Sequence, residues 1–163
     1  MNKPELSSLS LVEIRQQRSD LQAQEDAVSF VRRMAQGRLD IARDEQRRRA
    51  DNTPISTTVT TNLAGIFGQE HGGGSARPPR ETNISPDHEL VRELERLCED
   101  IGFGSLRSLD DESVDQIVTS LLAFENQRSA ERRQLFDQID ALTVELVRRY
   151  KDGGADIDSL LND

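Results

Sequence analysis

From Ser10 to Arg49 the chain contains no proline and only one glycine, Gly37. Such a stretch reads as one long helix, and Ser10 followed by Glu13 reads as the capping box that starts it. Ile14, Leu21, Val28, Ala35 and Ala42 recur every seven residues, the spacing of a coiled-coil seam. The companion seam positions are Leu11, Arg18, Glu25, Arg32 and Leu39, apolar at the two ends and charged in the middle. A helix with so narrow an apolar face needs a long partner helix, and its charged middle needs something to compensate it.

A partner lies one hundred residues on. Residues 21–50 return without a gap at 121–150, with ten identities in thirty positions. Glu25, Ser29, Arg32 and Asp40 reappear as Glu125, Ser129, Arg132 and Asp140; Leu21, Ala23, Arg33, Glu45, Arg48 and Arg49 also have identical counterparts. This second helix is expected over 108–151, capped by Ser108 with Asp111, with Leu121, Leu135, Ile139, Leu142 and Leu146 on its seam. Gly153 and Gly154 follow its end.

Between the long helices the composition changes. Residues 51–85 hold three of the five prolines and many small polar residues, which predicts a flexible linker with one apolar island at Leu63, Ile66 and Phe67. Ser85 with Pro86 suggests the start of a short amphipathic helix over 86–101, striped by Leu90, Leu94, Leu97 and Ile101 and stopped by the Gly-Phe-Gly at 102–104. An N-terminal extension, 1–9, and a frayed C-terminal tail, 152–163, complete the expected organisation. The fold class is therefore all-α: two long helices in an antiparallel coiled-coil hairpin, with one short additional helix and a flexible linker.

Composition limits the function. Hydrophobic residues make up 34% of the 163 and aromatics 4%, too few for a thick core. The net charge of -9 argues against direct nucleic-acid binding, which needs a basic surface. Residues 1–50 carry ten Lys/Arg against eight Asp/Glu; subtracting from totals of 21 and 30 leaves eleven against twenty-two in the remainder. That acidic remainder suits a partner with a basic surface, and equally serves solubility. The lone Cys98, at an apolar helical position, excludes an internal disulfide and a Cys-based metal cluster. No run approaches the roughly 18 apolar residues of a membrane span, and no signal segment opens the chain, so a cytoplasmic location is expected. His71 and His88 read as ordinary surface histidines, without metal.

The repeated polar residues lie on one stripe. With Glu25 at zero and about 100° per residue, Ser29 falls near 40°, Arg32 near -20°, Gln36 near 20° and Asp40 near 60°. On the same wheel Leu21, Val28, Ala35 and Leu39 fall at roughly -40° to -80°, so the stripe borders the seam instead of opposing it. The residue types suit a guanine nucleotide: a carboxylate accepts from the N1 and N2 donors, and Arg binds the O6/N7 edge, stacks on the base or pairs with phosphate. Gly37 removes a side chain where a ligand or the second helix approaches. No nucleophile with a base in reach and no phosphate loop accompanies them, so no catalytic residue is expected.

The spacing Glu-x3-Ser-x2-Arg-x3-Gln-x3-Asp, complete as Glu25, Ser29, Arg32, Gln36 and Asp40, resembles the signature of the RsiG family, actinobacterial anti-sigma factors that respond to cyclic di-GMP. The resemblance covers the first helix, the linker and the last long helix. It implies that two copies of the motif on antiparallel helices clasp cyclic di-GMP, bound as an intercalated pair of molecules. It also implies that the loaded protein silences the sporulation and development sigma factor WhiG, repressing transcription of its regulon. The implied ligand set adds Glu125, Ser129, Arg132 and Asp140, with Arg33, Arg133 and Phe136 as further candidates. Phe136 stands where the motif has Gln, and Gln134 or Gln138 is then needed to replace the missing hydrogen bond. Both half-sites in one chain favour a monomer in a 1:1 complex with the sigma factor, although the linker also permits exchange of helices between two chains.

A competing reading treats Glu25, Arg32 and Asp40 as coiled-coil ion pairs in a structural adaptor without a small ligand. The gap-free repetition of the motif favours the ligand. The basic run Arg33, Arg38, Arg43, Arg47, Arg48 and Arg49 is balanced between a solvated helix end and a phosphate or partner role.

Overall fold

The computed structural model describes residues 8–52 and 84–152. The linker island at Leu63, Ile66 and Phe67 and the tail beyond Asp152 lie outside the described residues. Helix α1 spans Leu11–Ala50, α2 spans Glu89–Asp100, a 3-10 segment spans Phe103–Ser108, and α3 spans Asp111–Asp152. The fold is all-α. It divides into two compact units: one comprises Met1–Phe30 and Gln127–Asp163, the other Val31–Asn126.

In the first unit, residues 11–30 of α1 lie antiparallel to residues 127–152 of α3. Ile14, Leu142 and Leu146 form a buried cluster, with Leu9, Leu11 and Leu21 packed against it. The capping box forms as expected: Ser10 N donates to Glu13 Oε2 at 2.7 Å and Glu13 N to Ser10 Oγ at 3.2 Å. The seam residues Val28, Leu135 and Ile139 are buried because the heptad spacing returns them to the facing helix each second turn.

In the second unit, residues 31–50 of α1 lie antiparallel to residues 111–126 of α3, and α2 packs beside them. Ala35, Leu39 and Ala42 are buried from α1, and Val114, Ile117 and Leu121 from α3. Helix α2 buries Val91, Leu94 and Cys98, a face turned from the expected Leu90, Leu94, Leu97 and Ile101 stripe. Arg38 of α1 donates to Glu95 and, at 3.1 Å, to Cys98 Sγ. Burial pushes the Cys98 thiol up from its ordinary pKa, the reverse of what a reactive thiolate needs.

Two expected caps are corrected. Helix α2 starts at Glu89, capped by His88, whose Nδ1 accepts from Leu90 N at 3.2 Å. Ser85 and Pro86 instead build the turn before it: His88 N donates to Ser85 O at 2.9 Å and Asp87 N to Ser85 Oγ at 3.2 Å. Pro at the second position of such a turn serves it as well as it would serve a helix start. Helix α3 is capped by Asp110, whose Oδ1 accepts from Ser113 N at 2.9 Å, while Ser108 Oγ donates to Ser105 O within the 3-10 segment. The turn into that segment uses Gly102 at φ 70°, a left-handed conformation that favours glycine.

Candidate functional site

The polar stripe does face a partner helix in each unit. In the first, Glu25 is 6% exposed, and its carboxylate accepts from Ser29 Oγ, from Gln22 Nε2 at 3.1 Å and from Arg132 Nε at 2.9 Å. Arg132 Nε also reaches Ser29 Oγ at 2.8 Å, so the serine hydroxyl bridges acid and base. A buried carboxylate with three donors is well compensated, which answers the flaw that Glu25 makes in the seam.

The second unit repeats the pairing with the copies exchanged. Glu125 Oε1 accepts from Arg32 NH1 at 3.1 Å and from Gln36 Nε2 at 3.3 Å. In both units, then, the motif glutamate of one copy pairs with the motif arginine of the other. Reversing the direction of one of two like helices makes the pairing reciprocal, position 25 meeting 132 and position 32 meeting 125. Arg32 Nε is buried and, among the described residues, has no hydrogen-bond partner.

The remaining motif residues sit further out. Asp40 and Ser129 are half-buried and Asp140 is exposed, and neither aspartate joins these ion pairs. Arg33 and Arg133 are exposed. Phe136 lies under the guanidinium of Arg132, whose central carbon is 4.6 Å from the ring centroid. Gln138 does not replace the missing motif glutamine: its amide turns back along its own helix to Gln134 O at 3.2 Å. Gly37 is exposed with no atom within 4 Å of where a Cβ would stand, so it does not admit a close approach of the second helix.

The most connected polar groups were read differently from the sequence. Glu45, Arg48 and Arg49 form a cluster, and so do their repeats Glu145, Arg148 and Arg149. Hydrogen bonds from Arg48, with Arg49, hold the Glu45 carboxyl down at about 2; those from Arg148 and Arg149 do the same for Glu145, also at about 2. Arg49 extends from the cluster to Leu109 O at 2.8 Å, Leu106 O at 3.1 Å and Asp111 Oδ1 at 2.8 Å, tying the end of α1 to the entry of α3. Arg149 reaches Leu9 O, tying the end of α3 to the entry of α1. Of the basic run, Arg38, Arg48 and Arg49 are engaged, Arg47 pairs with Asp44 while largely exposed, and Arg33 and Arg43 are exposed. The signal in the sequence was the repeated Glu-x2-Arg-Arg itself. Arg128 was also overlooked: it occupies the position equivalent to Val28, is buried, and pairs with Glu131 at 2.8 Å.

Residues 1–66 match the family model described as RsiG-like. The match covers 66 of the 163 residues and likens that part of the chain to the RsiG family. The matched span includes the first motif copy, Glu25 to Asp40, and ends before the second. No curated protein matches the chain. Likeness to an RsiG-like family suggests an anti-sigma role. Among the described residues no helix is long and apolar enough to cross a membrane, and no group of three or more His, Cys, Asp or Glu is placed to hold a metal ion.

Proposed function

We propose that the chain is a cyclic di-GMP-responsive anti-sigma factor whose loaded form sequesters a sigma factor of the WhiG type and so represses a sporulation regulon. The observation that carries this reading is the exchanged pairing of the motif copies, Glu25 with Arg132 and Glu125 with Arg32. A nucleotide with two guanines and two-fold symmetry calls for such a duplicated acid and base. The residues present suit it: Glu125 accepts from guanine N1 and N2, Arg32 and Arg132 supply donors for O6, N7 or phosphate, and Glu25 holds Arg132 in place. Arg32 Nε, buried and without a partner, fits a ligand acceptor. Ser29, Gln36, Asp40, Ser129 and Asp140 complete the proposed set, with two nucleotides bound per chain.

Isothermal titration of the chain with cyclic di-GMP tests the proposal. Binding at micromolar concentration or tighter is expected, and no binding there ends it. Capture of the sigma factor only in the presence of nucleotide is the second expectation; nucleotide-independent capture contradicts it.

One observation favours the structural adaptor as a second reading. The Glu–Arg pairs already satisfy each other, as register-setting pairs in a coiled coil do. Arg32→Ala separates the two: the sensor loses nucleotide binding with its helical circular-dichroism signal intact, whereas the adaptor loses helix or register.

A further inference from the structure

The two motif copies differ at one position, and the structure gives the two residues different surroundings. Gln36 donates its amide to Glu125 Oε1 at 3.3 Å, beside Arg32 NH1 on the same oxygen at 3.1 Å. The Arg32 side chain is 20% exposed, and its Nε is a buried donor without a partner. That subsite is built from hydrogen-bonding groups. At the matching position Phe136 supplies neither donor nor acceptor, and the Arg132 guanidinium lies over its ring at 4.6 Å. Arg132 Nε is committed to Glu25 and Ser29, yet its side chain is 38% exposed.

A guanidinium over an aromatic face is held there by the ring quadrupole, and a planar cation so held offers a platform on which a base can stack. Stacking tolerates base identity because every base has a π-face. Hydrogen-bonding subsites instead reject a ligand that leaves buried polar groups unpaired. Resting on the cyclic di-GMP reading, we propose that Phe136 turns the Glu25–Ser29–Arg132 subsite into a stacking subsite that accepts either purine, while the Arg32–Gln36–Glu125 subsite requires guanine. Phe136 is thereby a specificity-determining residue, and this chain discriminates less sharply against a mixed guanine–adenine cyclic dinucleotide than one with glutamine at both positions.

The full chain is titrated with cyclic di-GMP and with 3′,3′-cyclic GMP–AMP, alongside Phe136→Gln and Phe136→Ala. Phe136 is 36% exposed, so both variants should keep the helical signal, which circular dichroism verifies. Phe136→Gln is expected to raise the preference for cyclic di-GMP over the mixed dinucleotide by about tenfold or more, and Phe136→Ala to weaken binding of both by about 5- to 100-fold. An unchanged preference in Phe136→Gln, or wild-type affinity in Phe136→Ala, overturns the inference while leaving the cyclic di-GMP reading in place. If the unmutated chain binds neither dinucleotide, the reading itself falls and this inference with it.

Discussion

Arg49→Ala is the substitution whose cost the structure defines best. The side chain is 17% exposed and donates to four acceptors: Glu45 Oε1 at 2.7 Å, Leu109 O and Asp111 Oδ1 both at 2.8 Å, and Leu106 O at 3.1 Å. A hydrogen bond from a charged donor contributes about 1.5–3 kcal/mol, but these four share one side chain and water will reach part of what is vacated. Asp111 is exposed, so its share is small. The two carbonyls and the buried Glu45 carboxylate carry most of the effect, for a net loss of about 2–4 kcal/mol. Arg148→Ala supplies the contrast. Arg148 is 55% exposed and, among the described residues, pairs along its own helix with Glu145 and Asp152, so its removal should cost little. Urea unfolding followed by far-UV circular dichroism measures both, with the slope checked so that only midpoints are compared. Arg49→Lys should recover less than half of the loss, because one ammonium cannot span the carboxylate and both carbonyls. The reasoning fails if Arg49→Ala is no more costly than Arg148→Ala, or if lysine restores full stability.

Three further outcomes are expected. The carboxyls of Glu45 and Glu145 fall to about 2 in the folded chain from an ordinary 4.5, so each contributes stability that is full above pH 4.5 and is lost as pH falls toward 2; thermal melts at stepped pH should show the decline, and Glu45→Gln with Glu145→Gln should flatten it. Gly37→Ala should stabilise the ligand-free chain by about 0.5–1 kcal/mol, since open space surrounds an added methyl and alanine is the better helix former; a lower unfolding midpoint would contradict the exposed placement. Gly102→Ala should cost about 1–2 kcal/mol through its φ of 70° alone, because the added carbon meets only Leu109 Cδ1 at an ordinary 3.7 Å; an unchanged midpoint would refute that account.

The features legible from sequence are those in which a residue's neighbours along the helix determine its environment. Heptad spacing identified Ile14, Leu21, Val28, Ala35 and Ala42, and on α3 Leu121, Leu135, Ile139, Leu142 and Leu146, all of them buried except Leu21, which is half-buried. The Ser10–Glu13 box was legible for the same reason, since both partners lie within one turn. Choices between nearby candidates were less so. Ser85 and Asp87 serve the turn before α2, and Ser108 caps nothing, because serine, proline and aspartate suit turns and helix starts alike. The short helix was read one position off its buried face, since it carries apolar residues on more than one side and only packing against α1 selects among them.

By itself the sequence determined that two long helices form, where their seam runs, and that one polar stripe is repeated beside that seam. Tertiary structure decided which of the repeated residues meet. Glu25 finds Arg132, and Glu125 finds Arg32, only because the facing segments run antiparallel in each unit. Arg49 and Arg149 find backbone carbonyls, acceptors that every residue carries and that no spacing can mark. Phe136 is the opposite case: Arg132 precedes it by four residues on the same helix, so the guanidinium over its ring follows from helical spacing. Periodicity is a property of one chain segment, whereas pairing depends on direction and register between two, and those are set by packing.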